Sequence, residues 1–220
     1  MKLSKQVVEI LRNFSSINSN IIIKPGNKIT TMSATKDILA EYEGDVTFDK
    51  TISIFNLSEL LGAYAAFNDP EIILEDKSLT IKQGKQQVKY VYADKNLLIA
   101  PTKDIIMPVA EIKVSLTNEL ISRMQKMSSV LSVEDLAISG DGKTVSVKVF
   151  DKKNPTANSF EVDLEVPTKE TFDINFKVEK LRLFPSNYDV EISSKKISKW
   201  SATDLKLVVF VAVESDSSFN

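Results

Sequence analysis

The chain has 220 residues, 43% of them hydrophobic and 26% charged, which is an ordinary globular composition with enough apolar material for one or two cores. It contains no cysteine and no histidine, so disulfides, thiolate or imidazole metal sites, thiol nucleophiles and the commonest general base are excluded. A net charge of −2 argues against a uniformly basic surface but leaves room for local basic faces.

In chain order, residues 1–18 read as a helix. Ser4 is its N-cap, and Val7, Ile10, Leu11, Phe14 and Ile17 recur at helical spacing as its buried side. The opposite stripe carries Lys5, Glu9, Arg12 and Ser16. Residues 21–24, the turn 25–27 and residues 28–31 read as a hairpin. Strands at 38–43 and 46–54 follow, separated by Gly44 and Asp45. Asn56-Leu57-Ser58-Glu59 is a capping-box pattern that opens a helix burying Leu57, Leu60, Leu61, Tyr64 and Phe67. Asn68-Asp69-Pro70 stops it, and three strands are expected at 71–74, 78–82 and 86–92.

Residues 93–109 break the pattern with Asp94, Lys95, Asn96, Pro101, Lys103, Asp104 and Pro108, around an apolar patch of Leu97, Leu98 and Ile99. The second half restarts with a strand at 111–116 and a helix at 117–131, whose buried side is Leu120, Ile121, Met124, Met127 and Leu131. Arg123 and Lys126 lie on its outward face. Its exit, Ser128-Ser129-Val130, echoes Ser15-Ser16-Ile17. Residues 133–139 and 143–150 form a hairpin about Gly140-Asp141-Gly142. Residues 159–166 place Phe160, Val162, Leu164 and Val166 on one face. Thr171-Phe172-Asp173 then repeats Thr47-Phe48-Asp49, and residues 178–184 suggest a short helix ended by Pro185. Strands at 188–193, 197–202 and 205–213 close the pattern, and the polar tail 214–220 is expected to be mobile. No apolar run approaches the roughly 18 residues of a membrane span, and no signal peptide is read at the start. The shared order of elements implies two divergent copies of one unit, as residues 1–93 and 110–220, joined by a connector at 94–109.

No catalytic constellation emerges. Gly140-Asp141-Gly142-Lys143 lacks the spacing of a phosphate loop and fits a hairpin turn. Asp135, Asp141, Asp151, Asp163 and Asp173 are too scattered for a metal site. A cation opposite an apolar stripe is usually a solvated face, and here recurrence is what counts. Lys5 and Arg12, Arg123 and Lys126, and Lys180 and Arg182 fall on corresponding elements and suggest a phosphate-facing track without base-reading chemistry. The helix after Asn56 offers no such cation.

The opening Met1-Lys2-Leu3-Ser4-Lys5, the Leu11-Arg12-Asn13-Phe14 turn with Ile17 and Asn18 after it, and the ending 208–220 resemble the DNA polymerase sliding clamps of T-even-type bacteriophages. That family shares the architecture of PCNA. The resemblance implies an α+β DNA-clamp fold of two similar domains, each with helices packed on antiparallel sheet, assembling as a homotrimeric ring lined by helices. It implies that residues 205–213 lie beside 38–43 within the chain. Between subunits it pairs strand 86–92 (Val88, Tyr90, Tyr92) with strand 159–166 (Phe160, Val162, Leu164). It also implies a groove for partner peptides at the connector, with Leu97, Leu98, Ile99 and Pro101 backed by Val211 and Val213. The alternative, that these residues only pin the connector, stays open. The implied function is non-catalytic: encircling double-stranded DNA and tethering the replicative polymerase in the cytoplasm of an infected bacterial host. An ATP-driven clamp loader is implied, and no cofactor, metal or membrane. The rival reading is a structural β-rich phage protein in which the repeat is a packing device.

Overall fold

Ser4 starts the first helix by accepting the Val7 N–H on its Oγ at 3.3 Å in the computed structural model, which describes residues 1–219. Helix α1 (Lys5–Ile17) buries Val7, Ile10, Leu11, Phe14 and Ile17, the stripe expected from their spacing. The chain divides into two units, the first formed by Met1–Ile105 with Leu205–Val209, the second by Ile106–Asp204 with residues from Phe210 onward.

In the first unit α1 is followed by β1 (Ile21–Ile23), β2 (Gly26–Met32), β3 (Ile38–Phe48), β4 (Ile52–Ile54), α2 (Leu57–Ala65), β5 (Glu71–Leu74), β6 (Ser78–Gln83) and β7 (Gln86–Val91). The hairpin expected over residues 21–31 does not form. Gly26, at φ +121°, redirects the chain after Pro25, so β1 pairs instead with β4, setting buried Ile21 and Ile23 opposite buried Ile54 and Ile52. Gly44 and Asp45 do not split β3 either. A register shift between Gly26 and Lys28 of β2 absorbs the extra residues, and Phe48 still pairs with Gly26. Residues 205–209 run beside β3, where the Glu43 N–H donates to the Lys206 carbonyl at 3.0 Å. The N-cap half of the capping box is realised, with Asn56 Oδ1 accepting the Glu59 N–H at 3.1 Å.

The second unit contains β8 (Ile112–Leu116), α3 (Asn118–Leu131), β9 (Asp135–Asp141), β10 (Thr144–Phe150), β11 (Phe160–Pro167), β12 (Thr171–Lys177), β13 (Tyr188–Ser193) and β14 (Ile197–Ala202). Strand β15 (Leu207–Ala212) ends in it, and β16 (Ser218–Phe219) follows. One sheet runs β11-β10-β9-β12-β16. Trp200 is fully buried and meets Phe176 and Tyr188 edge-on at 5.8 and 6.3 Å between ring centroids. Its indole N–H donates to Ser198 Oγ at 2.9 Å, which itself donates to the Val211 carbonyl at 2.8 Å, so no polar atom in that chain is stranded.

The repeat is a repeat of pairings. β9 pairs with β12 as β1 pairs with β4, and β10 with β11 as β2 with β3. β13, β14 and β15 correspond to β5, β6 and β7. Even the strand before the helix has its counterpart: β8 pairs with β13, while Met1 and Ile72 of β5 exchange two backbone bonds of 2.7 Å.

Two expectations fail here. The helix foreseen at 178–184 shrinks to a single 3₁₀ turn, Val178–Lys180. Lys177 supplies no side-chain cap where Asn56 caps α2, and Leu181 is already drawn into the core. The tail is not loose in its described part: Ser218 and Phe219 pair with β12, and Ser217 Oγ accepts the buried Asn175 N–H at 2.8 Å. Asn220 lies outside the described residues.

Candidate nucleic-acid interface and connector groove

Helices α1 and α3 occupy corresponding places in the two units. Thr117 caps α3 by accepting the Leu120 N–H at 3.2 Å, and Ser132 at φ +55° ends it in the left-handed conformation. The apolar side of α3 is Ile121 and Met124 with Ser128, Leu120 and Met127 being half-buried. Lys5 and Arg12 are exposed on α1, as are Arg123 and Lys126 on α3. Lys5 lies 3.8 Å from Glu9, and Arg123 lies 3.2 Å from Glu119, both one helical turn apart. Such exposed pairs contribute about 0.3–0.5 kcal/mol and are screened by salt. Each helix therefore presents a modest positive face suited to weak, sequence-independent phosphate contact.

Lys180 ends the 3₁₀ turn and Arg182 lies beyond it, so neither belongs to an α-helix. The Lys180 ammonium is paired with Glu214 of the tail at 2.9 Å, and Arg182 Nε donates to the Glu179 carbonyl at 3.1 Å. Their equivalence to the helix-borne cations is lost with the helix.

Among the described residues, strands β7 and β11 are both edges, with only β6 and β10 beside them. Val88 and Tyr90 stand opposite buried Ile81 and Leu79, and the Tyr90 hydroxyl donates to the Asn56 carbonyl at 3.2 Å. The Tyr92 hydroxyl is buried with no hydrogen-bond partner among the described residues. Burial, reinforced by Glu75, pushes it up to about 12. On β11, Phe160, Val162 and Leu164 are half-buried in alternation. Val166 is exposed, because a bulge opposite Val145 and Ser146, with Glu165 at φ +57°, breaks the alternation before it.

The connector lies against the first unit. Asn20 Oδ1 accepts the Ile99 N–H at 3.0 Å. Leu98, Ile99, Pro101 and Ile105 line an open groove with Met32 and Leu39, which are cross-strand partners on β2 and β3. A second recess shares Pro101, Thr102 and Lys103 and adds Lys24, Lys28, Glu41 and Asp104. Lys28 Nζ sits 3.1 Å from Glu41 and 3.2 Å from Asp104. Partial burial alone would lower this ammonium, but the two carboxylates outweigh it and hold it above the ordinary lysine value.

Residues 2–107 match the sequence family described as DNA polymerase processivity factor. The sliding clamp of Enterobacteria phage T4 is 29% identical over 159 residues, covering 71% of this chain and 70% of that one. The sliding clamp of Escherichia phage RB69 is 31% identical over 148 residues, covering 66% and 65%. The fold matches that of A. fulgidus PCNA, solved with the C-terminal region of FEN-1 bound, at a TM-score of 0.69 and 11% identity over 97% of this chain and 96% of that one. These likenesses support a sliding clamp of the T-even phage type, a DNA polymerase processivity factor.

Within this clamp the expected groove residues separate. Leu98, Ile99 and Pro101 line the groove, whereas Leu97 is 72% exposed and is not among its lining residues. Val211 and Val213 are core residues, at 0% and 6% exposure, and offer no surface to a ligand. Met32, Leu39, Ile105, Lys24, Lys28 and Lys103 escaped the sequence reading. Their grouping depends on the β2–β3 register and on where the connector settles, which no local pattern announces.

Proposed function

We propose that three copies of this chain close into a ring around duplex DNA and hold the replicative polymerase on its template. The pattern of strand edges carries this reading. β3 has β2 on one side and residues 205–209, the opening of β15, on the other; its counterpart β11 has only β10 among the described residues. The counterpart of β15, namely β7, has only β6 among the described residues. Laying β7 of one copy against β11 of the next would give each free edge the neighbour its counterpart has. Such a head-to-tail contact generates a ring when its rotation closes. In that arrangement Lys85 and Lys89 around β7 would meet a complementary run of Glu161, Asp163 and Glu165 on β11, where within one copy Lys89 pairs with Glu75 and Glu161 with Lys148. Val88, Tyr90 and Tyr92 would then pack against Phe160, Val162 and Leu164.

In this reading Lys5, Arg12, Arg123 and Lys126 line the hole and touch phosphates weakly enough to permit sliding. The working division is residues 1–93 and 110–220 as clamp domains with 94–109 as connector. The groove of Leu98, Ile99 and Pro101 receives a short apolar segment of the polymerase or another partner. The FEN-1 segment bound to A. fulgidus PCNA supports that use of a clamp. The ring carries out no chemistry of its own, is opened by an ATP-driven loader, and works in the cytoplasm of the infected host.

The test is retention on DNA. Clamp loaded on a nicked circle stays bound through gel filtration at moderate salt and is lost when the circle is linearised, and polymerase products on a singly primed circle lengthen with clamp. Equal retention on circular and linear DNA would overturn the topological mechanism.

A further inference from the structure

The groove and the cationic recess are continuous along one ladder. On the outer side of β2–β3 the cross-strand pairs run Met32 with Leu39, Thr30 with Glu41, then Lys28 with Glu43. Each step is about 7 Å, so the ladder passes from apolar to charged within about four residues of an extended chain. The connector residues Pro101, Thr102 and Lys103 border both recesses. Around them stand the ammonium groups of Lys24, Lys28, Lys36 and Lys103 against two carboxylates, Glu41 and Asp104. This local excess of positive charge sits on a chain of net charge −2. Lys24, Lys36 and Lys103 are exposed and have no ion-pair partner among the described residues. Asp104, by contrast, is a connector residue whose side chain is 86% exposed while it bridges to Lys28.

We propose that the partner segment seated in the connector groove carries carboxylates two to four residues from its apolar anchor, that Lys24 and Lys103 receive them, and that Asp104 occupies this recess in the free chain. The proposal rests on the groove reading above. Lys28 is already shared between two carboxylates, so the incoming acid finds Lys24 and Lys103 directly and competes with Asp104 for Lys28. Releasing Asp104 loosens the connector from β2 at the moment the apolar anchor fills the space beside Leu98 and Ile99. A phosphate backbone fits less well, because it has nothing to place against Met32, Leu39 and Ile99.

The experiment uses fluorescein-labelled dodecapeptides and the full chain in an anisotropy titration. One peptide carries a Leu-Phe anchor with two aspartates three residues away. A second has asparagines in their place, and a third has the anchor replaced by alanines. The acidic peptide is expected to bind about three- to tenfold more tightly than its amide twin at low salt, the scale of one or two exposed ion pairs. Lys24→Gln/Lys103→Gln should abolish that difference, so that this variant binds the acidic peptide and its amide twin equally, and Asp104→Asn should tighten the acidic peptide about twofold. Equal binding of the acidic and amide peptides, with the alanine peptide silent, would overturn the proposal and leave the groove intact. Failure of every peptide to bind would overturn both. Weaker binding of a 20-base-pair duplex by the lysine variant, with peptide affinities unchanged, would make the recess a phosphate contact instead.

Discussion

Ser53 and Ala93 hold each other twice: the Ala93 N–H donates to the Ser53 carbonyl at 2.9 Å, and Ser53 Oγ donates to the Ala93 carbonyl at 2.7 Å. Ser53 is 2% exposed on β4, and Ala93 is the last residue before the connector, so this pair fixes where the connector begins. Ser53→Ala strands a carbonyl and is expected to cost about 1–2 kcal/mol in urea unfolding. Amide exchange should also quicken at Asn96 to Ile99. An unchanged midpoint with unchanged exchange would show that the connector is held elsewhere.

Reversing charge on the helices separates function from folding. Arg12→Glu/Arg123→Glu removes one exposed pair, Arg123 with Glu119, and sets new carboxylates one helical turn from Glu9 and Glu119, so it should cost about 1 kcal/mol and leave the chain folded. Primer extension on a singly primed circle should nonetheless lose most of its clamp-dependent length at low salt, with the gap from the natural chain narrowing as salt rises, because the contacts removed are the screened ones. Normal stimulation by this variant would remove the two helices from the DNA path.

Gly140 is required by its neighbours rather than by its backbone angles. A Cβ there would lie 2.5 Å from Phe172 Cε1 and 2.9 Å from the Glu170 carbonyl, and Phe172 is buried between strands. Gly140→Ala should destabilise the chain by about 1–3 kcal/mol through overpacking. Gly62→Ala is the control: it meets nothing within 4 Å and sits inside a helix, so it should be neutral or stabilising.

The pH profile follows from which groups folding displaces. Glu191 is held below the usual carboxylate range by hydrogen bonds to Lys199 and Lys113, and Asp141 by the Thr144 and Lys143 N–H groups. A depressed acid stabilises the fold above its unfolded value, near about 4, and that contribution disappears as pH falls through the native value. Tyr92, pushed up to about 12, and Tyr188, raised further by burial, work at the other end. Their contribution is complete below about 10 and is lost as pH climbs through the raised values. Thermal midpoints should therefore be flat from about pH 5 to 9 and fall on both sides, and Glu191→Gln should soften the acid limb.

What the sequence made legible was periodic and local. The α1 stripe and the Asn56 cap each rest on neighbours in the chain, and each is built as read; the hairpin read about Gly140 to Gly142 also forms, but with Gly140 and Asp141 inside β9 and the turn at Gly142 and Lys143. The failures share a cause: strand partners are chosen by tertiary packing. Ile21 to Ile23 and Lys28 to Thr31 look like a hairpin, but the isoleucines bury themselves against β4, and β2 turns to β3. The polar composition of residues 214–219 suggested a loose end, whereas their acceptors and donors belong to Asn175, Lys180 and Lys196, distant in sequence. Val211 and Val213 are apolar at the right place for a groove and equally right for a core, and only burial separates the two.

The most direct measurement of the central claim is solution mass by light scattering across a dilution series, for the natural chain and for Val162→Asp on the β11 edge. The account predicts a species near three times the 24.5 kDa chain that falls toward monomer on dilution, and a folded monomer for the variant at all concentrations. A natural chain that stays monomeric at high micromolar concentration would contradict the ring, whatever the fold.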